Sequence, residues 1–565
     1  MFQVSFQFDN GDAPVTAAVS PEETLLDAAR RLKIAIDAPC SGNGSCGKCR
    51  VKLLAGEVSA LPNACLSDGW YLACGIRPCS DVTVFVPDIA SAYRSQMKTA
   101  DLSTTEKVAA FEALLAKLRA AGISLTAPRI GGTIAPYALA IDIGTTTVCA
   151  VLFDLQSGAL LAEASCGNAQ IRYGADVINR IIEQGKPGGI AKLRDAIVKE
   201  TLVPLIAALC KQADISSECI GRVGIACNPT MNHLLLGVDA NCIRTEPYLP
   251  AFYRRDGLTA ADLELPVHPA APICLAPNIG SFVGGDITAG VFAAMLWDSE
   301  ALSLFIDLGT NGEIVFGNRD FLITCACSAG PAFEGGDISC GMRATDGAVE
   351  AVSIDEDTMR PTLTVIGAQK PVGICGSGLI DLVAELFRCG IINAKGCFIR
   401  EGERIAYDRH GTGRYILATA CESATGREIA LNEVDILNFI RAKGAIYAAI
   451  DTVLSVLDMD ESVISQVFVA GGIGGGINIK NAVRIGMLPG VRAECFRYIG
   501  NTALTGAYAM TLSPEAERKI NEIARNMTYL ELSTHPGYMD KFIAACFLPH
   551  TDAGRFQARQ EKHYD

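Results

Sequence analysis

The first 88 residues alternate between apolar and polar side chains in short runs, which is the pattern of half-buried β-strands. The alternation is strict from Phe2 to Phe8, and Ser20 and Pro21 precede a run with helical spacing. We predict a strand pair, a short helix and three further extended segments, at residues 3–8 and 15–19, at 22–31, and at 51–54, 70–74 and 82–86. Residues 1–88 are therefore expected to form one compact α+β domain.

Residues 89–135 have a different pattern. Apolar side chains recur near helical spacing between Thr104 and Ala121, and this run is followed by glycines and a proline. The segment is predicted to be a linker that contains a helix. Two roles stay open for it: a simple tether, or a hinge that lets the first domain swing.

From residue 136 onward, strand-like runs alternate with helix-like runs, which is typical of an α/β fold. Two stretches of this region, residues 140–146 and 305–313, resemble each other, since each has a strand, a turn rich in Gly and Thr, and a second strand. The repeated Asp-x-Gly-Thr pattern predicts two related lobes, at residues 136–298 and 299–565.

Composition narrows the possible partners. Half of the 565 residues are apolar, and the net charge of −14 argues against nucleic acid or an anionic membrane as the main partner. No apolar run reaches the ~18 residues that span a bilayer, and the N-terminus lacks the pattern of a signal peptide. Most of the 22 cysteines lie in apolar runs, where they are predicted to be small buried side chains of a cytoplasmic protein.

Four cysteines have a spacing that points to a metal cluster. Cys40, Cys46 and Cys49 form a C-x5-C-x2-C pattern in a glycine-rich loop, and Cys74 follows on a later segment. A 2Fe–2S cluster of the ferredoxin type needs several thiolates from one tight loop and a last one from a distant strand. Glycines let the backbone N–H groups turn toward the sulfurs. The first domain is therefore predicted to be a ferredoxin-like β-grasp domain with a 2Fe–2S cluster.

The fourth ligand is the least secure of the set, because Cys65 and Cys79 also lie in range. Cys74 is preferred because Leu72-Ala73-Cys74 resembles the ending of the ferredoxin motif. None of the six histidines has the spacing of a zinc ligand.

The second region carries the elements of a nucleotide site in a recognisable order. They are a first hairpin, a helix of small residues after Val283, a second hairpin, two glycine-rich turns, and a second helix of small residues after Gly500. This order resembles the superfamily of acetate and sugar kinases, heat-shock chaperones and actin. The resemblance implies a two-lobed actin-like ATPase that binds ATP with Mg²⁺ between the hairpins.

The resemblance also assigns residues to that site. Asp142 and Asp307 would hold Mg²⁺, directly or through water, and Glu313 and Glu334 are candidates to orient the attacking water. The two glutamates could equally be structural carboxylates, and Asp286 could either hold a ligand of Mg²⁺ or cap a helix. The backbone and hydroxyl groups expected to contact the nucleotide are those of Gly144, Thr145, Thr146, Gly309, Thr310, Asn311, Gly376, Ser377, Gly471, Gly472 and Gly474.

The whole chain is similar to the reductive activators of corrinoid proteins. The segments that carry this likeness are residues 168–177, 228–234, 281–287, 330–336, 341–344, 373–381 and 542–549. The resemblance implies an enzyme that couples ATP hydrolysis to reduction of a corrinoid protein of a methyltransferase system, from Co(II) to Co(I), with an upstream electron donor. Whether it forms a homodimer stays open.

Two other functions fit the same domains less well. One is an ATP-dependent electron donor to another low-potential enzyme, such as a dehydratase or ring reductase, although those activators use a 4Fe–4S cluster. The other is an adaptor that senses nucleotide without turnover.

Overall fold

The computed structural model describes most of the chain. The described residues are 1–8, 13–34, 36, 38, 42, 44, 47–66, 68–87, 97–100, 102, 105–125, 135–309, 311–472 and 476–556. They fall into two compact units: Met1–Ala116, Ser124–Ala276 and Met510–Pro514 form the first, and Lys117–Ile123, Pro277–Ala509 and Glu515–Asp565 form the second.

The first unit opens with the predicted β-grasp domain. Its strands are β1 (Phe2–Phe8), β2 (Val15–Val19), β3 (Arg50–Ala55), β4 (Val58–Ala60), β5 (Trp70–Leu72), β6 (Ile76–Pro78) and β7 (Val82–Val86). Five of them form a sheet in the order β2-β1-β7-β3-β5, and β4 pairs with β6. Val4 and Phe6 are fully buried, as the alternating pattern predicts. The strand β7 does not end the sheet but lies in its middle, because it pairs with both β1 and β3.

The helix of this domain spans Leu25–Arg31, three residues later than the predicted start. The reason is a cap: the Thr24 side-chain oxygen accepts a hydrogen bond from the Asp27 N–H at 3.1 Å. The helix packs its apolar face, which includes Leu25 and Ala29, into the core of the domain.

The remainder of the first unit is an α/β lobe. Its strands are β8 (Lys98–Thr99), β9 (Tyr137–Ile143), β10 (Thr147–Asp154), β11 (Leu160–Gly167), β12 (Ile220–Cys227) and β13 (Ile273–Leu275), in the order β13-β12-β9-β10-β11-β8. Its helices are Val177–Gln184, Gly189–Ile197, Val203–Ala213, Pro229–Leu236 and Asn241–Arg244, and a π-helical turn, Val198–Leu202, joins the second to the third.

The predicted linker helix is present at Thr105–Ala120. The sequence did not predict the strand β8, which lies in the linker and pairs with β11 at the edge of the sheet. The Ala100 N–H extends this pairing by donating to the Glu163 carbonyl at 2.9 Å. The linker is therefore attached to the α/β lobe at this point.

The second unit also contains a six-stranded sheet. Its strands are β14 (Ser303–Leu308), β15 (Gly312–Gly317), β16 (Leu322–Cys327), β17 (Ala348–Ile354), β18 (Pro361–Val365), β19 (Gly373–Ile374), β20 (Ile405–Tyr407), β21 (Gly413–Ala418), β22 (Ile429–Asn432), β23 (Gln466–Ala470), β24 (Phe496–Tyr498) and β25 (Met527–Tyr529). Six of these form the main sheet, in the order β24-β23-β14-β15-β16-β25. It shares its first five strand positions with the sheet of the first unit, whereas its last strand, β25, pairs parallel with β16 where β8 pairs antiparallel with β11.

The helices of the second half cover this sheet. They are Gly285–Ala293, Gly376–Arg388, Glu433–Val456, Ile479–Arg484, Thr502–Leu512, Pro514–Asn526 and Tyr538–Ala545. The two helices of small residues approach each other closely, since a Cβ on Gly506 would lie 2.2 Å from the Ala289 carbonyl oxygen. Within the described part of the chain, we find no helix with the length and apolar character needed to cross a bilayer.

The two main sheets share a strand plan that confirms the predicted duplication. In each, a parallel pair (β12 with β9, β23 with β14) is followed by two antiparallel steps (β9-β10-β11, β14-β15-β16). The repeated Asp-x-Gly-Thr sequence lies at the first antiparallel turn of each sheet, so the two predicted hairpins occupy equivalent places in their own lobes.

Candidate cluster and nucleotide sites

The cluster loop is described at only part of its length, and Cys40 and Cys46 lie outside the described residues. Cys49, which is 1% exposed, precedes β3, and Cys74 lies in the short turn Ala73–Gly75 after β5. The Ala73 N–H donates to the Cys49 carbonyl at 2.7 Å, so the backbone holds these two segments together.

Gly42, one of the described residues of this loop, lies against Cys74. A Cβ on Gly42 would lie 3.1 Å from the Leu26 side chain and 3.7 Å from the Cys74 Cβ, and its φ of +88° favours glycine. Cys65 and Cys79 are exposed. Among the described cysteines, Cys49 and Cys74 therefore fit two ligands of one cluster, since the backbone holds their segments together and Gly42 lies against Cys74.

The first hairpin joins β9 to β10 through a tight turn. The Gly144 N–H donates to the Thr147 carbonyl at 3.0 Å, and a Cβ on Gly144 would lie only 2.5 Å from that oxygen. Thr145 and Thr146 at the tip are buried, and Asp142 is the last polar residue of β9 before the turn. The candidate residues are thus next to one another where β9 turns into β10, at one end of these two central strands. They are Asp142, Gly144, Thr145 and Thr146.

Side chains from three other segments hold this turn in place. Asn168 donates from Nδ2 to the Gly144 carbonyl at 3.0 Å, and Asn228 donates from Nδ2 to the Thr145 hydroxyl at 3.0 Å. Arg180, which is fully buried, donates to the Thr145 carbonyl. Arg180 also binds the Gly174 carbonyl at 2.9 Å and the Gln170 side chain at 3.0 Å.

Sequence reasoning did not assign a role to Asn168, Arg180 or Asn228. Two of them stand in segments of the family resemblance, residues 168–177 and 228–234, but the resemblance gave no contact for them. The signal that could have found Arg180 is a single arginine among the apolar positions of an amphipathic helix, where a charged group needs buried acceptors.

The second hairpin joins β14 to β15, and it has acidic surroundings. The Gly309 N–H donates to the Asn311 carbonyl at 3.0 Å, while Thr310 lies outside the described residues. Asp307 and Glu313 are directly opposite each other in the antiparallel register. Both carboxylates therefore flank the same turn.

Asp286 joins these two carboxylates in one electrostatic group. Burial, and next to it the charges of Asp286 and Asp307, raise the pKa of Glu313 well above its usual range. Burial raises the pKa of Asp286 to about 6, although it also accepts backbone N–H groups at the start of the Gly285–Ala293 helix. A group of one buried and two half-buried carboxylates that repel one another is suited to a divalent cation, which would lower these pKa values.

The two glycine-rich turns lie beside the second hairpin. A Cβ on Gly471 would lie 2.6 Å from an Asp307 carboxylate oxygen, so the turn after β23 passes directly over this residue. A Cβ on Gly476 would lie 3.2 Å from Ser377 Oγ, which joins the same turn to the helix that begins at Gly376. Only glycine allows the first of these approaches.

The short turn Pro331–Glu334, which ends at Glu334, lies against the start of the helix at Gly376. A Cβ on Gly376 would lie 2.1 Å from the Phe333 carbonyl oxygen of this turn. Gly472 has open space around it, and Gly474 lies outside the described residues. The second unit thus brings together Asp307, Glu313, Asp286 and Gly471, and it places Ser377 beside Gly476.

Comparisons with known proteins follow this division of the chain. Residues 7–79 match the family model of the 2Fe-2S iron-sulfur cluster binding domain. Residues 137–299 match the RACo middle region, and residues 301–560 match the C-terminal domain of RACo, the ASKHA domain.

Individual relatives cover most of the chain. Corrinoid activation enzyme RamQ of Eubacterium limosum is 36% identical over 416 residues, which are 72% of this chain and 69% of the relative. A [Co(II) methylated amine-specific corrinoid protein] reductase of Methanosarcina barkeri is 24% identical over 426 residues, which are 69% of this chain and 73% of the relative. A solved structure of a reductive activator for corrinoid, iron-sulfur protein is 36% identical, with a TM-score of 0.69, and covers 99% of this chain and 100% of that one.

Proposed function

This chain belongs to the RACo family, and we propose that it reduces a corrinoid protein from Co(II) to Co(I) with one electron, driven by ATP hydrolysis. The observation that carries the proposal is the union, in one chain, of a 2Fe–2S domain with the middle and ASKHA regions of that family. A relative that matches over two thirds of both lengths is named for corrinoid activation.

The cluster would be held by Cys40, Cys46, Cys49 and Cys74. When bound, a 2Fe–2S cluster supplies one electron at low potential. Support for Cys74 over Cys65 and Cys79 comes from Gly42, which lies against the Cys74 side chain. Three of these cysteines belong to the glycine-rich loop and Cys74 to the Ala73–Gly75 turn, and backbone N–H groups near such thiolates would stabilise their charge.

The nucleotide would be bound by the two hairpins and the glycine-rich turns. Asp142 and Asp307 would hold Mg²⁺, and backbone N–H groups of the hairpin turns would contact phosphate oxygens. Among the glutamates, Glu313 is the better candidate to orient the attacking water and accept its proton, because it lies directly opposite Asp307 in the register of the second hairpin. Glu334 is the second candidate.

ATP is needed because the electron transfer is uphill. Plant-type 2Fe–2S ferredoxins have potentials of about −400 mV, and the resemblance implies that Co(I) is the stronger reductant. A shortfall of ~100–200 mV in a one-electron step costs roughly 2.3–4.6 kcal/mol. A nucleotide that binds two states of the protein with different affinity can supply this free energy.

The cellular setting is part of the same proposal. The partner would be a corrinoid protein of a methyltransferase system, an upstream donor would reduce the cluster, and the reaction would take place in the cytoplasm. Whether two copies associate is a separate question, which sedimentation of the purified chain would answer.

The decisive experiment mixes the anaerobically reduced protein with a Co(II) corrinoid protein and follows the absorbance of Co(I). We expect Co(I) to form with MgATP and not with ADP or without nucleotide. Asp307→Ala should abolish Co(I) formation and leave the visible spectrum of the cluster unchanged, and Cys74→Ser should alter that spectrum. Equal yields of Co(I) without ATP would contradict the proposal, since the protein would then act as a simple ferredoxin.

A further inference from the structure

Arg30 is a cation of the cluster domain that is almost completely withdrawn from solvent. It lies near the end of the Leu25–Arg31 helix and is 7% exposed, whereas its neighbour Arg31 is 47% exposed. One guanidinium nitrogen lies 3.5 Å from the Asp27 carboxylate. A guanidinium stays protonated at every accessible pH, so this position carries a permanent buried positive charge.

The guanidinium is close to the fourth predicted cluster ligand. The Cβ position on Gly42 is 3.7 Å from Arg30 Nη1 and 3.7 Å from the Cys74 Cβ. Two atoms that each lie 3.7 Å from one point are at most 7.4 Å apart, so the charge lies within that distance of the Cys74 side chain. The helix thus brings a positive charge to the edge of the cluster loop.

The other side of Arg30 is held by the α/β lobe of the same unit. Arg30 Nε donates to the Arg172 carbonyl at 2.8 Å. Arg172 stands in the short turn Ala169–Tyr173, and its own guanidinium binds the Glu200 carboxylate at 2.7 Å. Lys33 of the cluster domain lies 3.8 Å from the same carboxylate.

The acceptor carbonyl is itself fixed in position. The Ala169 N–H donates to the Thr201 hydroxyl at 3.0 Å, and Thr201 and Glu200 belong to the π-helical turn Val198–Leu202. Asn168, which caps the Ala169–Tyr173 turn, donates to the Gly144 carbonyl of the first hairpin. Arg30 therefore spans from the cluster loop to the turn that supports the hairpin.

We propose that Arg30 is a positioning residue that sets the reduction potential of the cluster, and that the α/β lobe keeps its charge in place through the Arg172 carbonyl. The inference rests on the proposed function, in that it requires a cluster at Cys74. A one-electron reduction makes the cluster more negative, and a nearby positive charge stabilises that form. A unit charge about 10 Å away, at an effective dielectric constant of about 20, changes this equilibrium on the order of tenfold.

The test is a redox titration of the full chain, carried out anaerobically with dithionite and mediator dyes. Arg30→Gln should shift the midpoint potential downward, by about 59 mV for a tenfold change in the ratio of reduced to oxidised cluster. Arg30→Lys keeps the charge and should retain most of the wild-type potential. Arg31→Gln is the matched control and should not shift it, because that side chain is exposed and paired with Glu23 at 2.9 Å.

Ionic strength provides a second readout. The shift caused by Arg30→Gln should persist at high salt, because screening acts weakly on a buried charge. An unchanged potential in Arg30→Gln, or an equal shift in Arg31→Gln, would overturn the inference.

Cluster content separates this inference from the proposed function. Iron and sulfide are counted in every sample before the titration. A wild-type chain that holds no 2Fe–2S cluster would refute the function itself. If Arg30→Gln is the one variant that loses its cluster, the test uses Asp27→Asn instead. This variant removes the exposed carboxylate beside Arg30, so the midpoint potential should rise. An unchanged or lower potential would overturn the inference.

Discussion

The turn between β9 and β10 is held from outside by amide and guanidinium groups, whereas the turn between β14 and β15 is surrounded by carboxylates. In the first unit, Asn168, Arg180 and Asn228 all donate hydrogen bonds to the turn. In the second unit, burial and then the charges of Asp286 and Asp307 raise the pKa of Glu313. Two hairpins with one strand plan therefore have opposite electrostatic surroundings.

This difference indicates a division of labour between the lobes. Donors bound to backbone carbonyls fix the shape of the first turn, and this keeps its own N–H groups oriented for phosphate. Crowded carboxylates store unfavourable free energy in the absence of a cation, and they favour Mg²⁺ and proton transfer when it binds. The two lobes therefore share a strand plan, and we expect proton transfer to depend mainly on the second of them.

The strongest test of this division is Glu313→Gln. Loss of a general base should slow phosphate release by about 10²–10⁴-fold, while MgATP still binds and the cluster spectrum is unchanged. Glu334→Gln is the matched control and should slow release less than about tenfold. A larger effect of Glu334→Gln than of Glu313→Gln would indicate that the general base lies in the Pro331–Glu334 turn and not in the second hairpin.

The first lobe should respond mainly in stability. Arg180→Leu leaves the acceptors of Thr145, Gly174 and Gln170 without their donor, and unpaired buried groups cost about 1–3 kcal/mol each. We expect a loss of about 3 kcal/mol in the free energy of unfolding, together with weaker MgATP binding. Lys199→Ala alters an exposed side chain of a neighbouring turn and is the control. It should change the free energy of unfolding by less than ~0.5 kcal/mol. Denaturant titrations of both variants give the comparison.

The second lobe should respond to pH. The pKa of Asp286 is about 6 in the folded protein against 3.8 as its reference value, so the folded state holds its proton more tightly. This contribution stabilises the fold below pH 3.8 and is lost as the pH rises through about 6. Asp286→Asn should therefore raise the stability of the Mg²⁺-free protein at pH 7.5 by about 1–3 kcal/mol. Melting curves at pH 5 and 7.5 should show the smaller gain at pH 5, and a loss at both would contradict this account.

Two substitutions of Asn228 separate its role as a helix cap from its support of the hairpin, and both are expected to have smaller effects than those above. Its side chain caps the Pro229–Leu236 helix through the Met231 N–H and donates to the Thr145 hydroxyl. Asn228→Asp keeps the cap and removes the donor, so it should weaken MgATP binding with little loss of stability. Asn228→Ala removes both and should cost about 1 kcal/mol. Equal stability of the two variants would show that the cap contributes nothing here.

The sequence predicted elements that depend on local pattern. Alternating Val4 and Phe6 predicted β1, and the repeated Asp-x-Gly-Thr motif predicted the two related hairpins at Asp142 and Asp307. It could not predict the strand β8, because two residues, Lys98 and Thr99, carry no periodicity. It also left the roles of Arg180 and Asn168 unassigned, since their partners are backbone carbonyls, which no side-chain pattern reveals.

Once the contacts of Arg30 and Lys33 with the α/β lobe open, the attachment of β8 to β11 limits how far the cluster domain can travel. Twelve residue steps separate Val86, the end of the last strand of that domain, from Lys98, and a chain of that length spans at most about 40 Å in any conformation. A cluster confined to such a radius has an effective concentration in the millimolar range. A corrinoid protein bound to the chain within this reach therefore needs little affinity of its own for the ferredoxin surface. Lengthening the tether should lower the rate of electron transfer without changing either site.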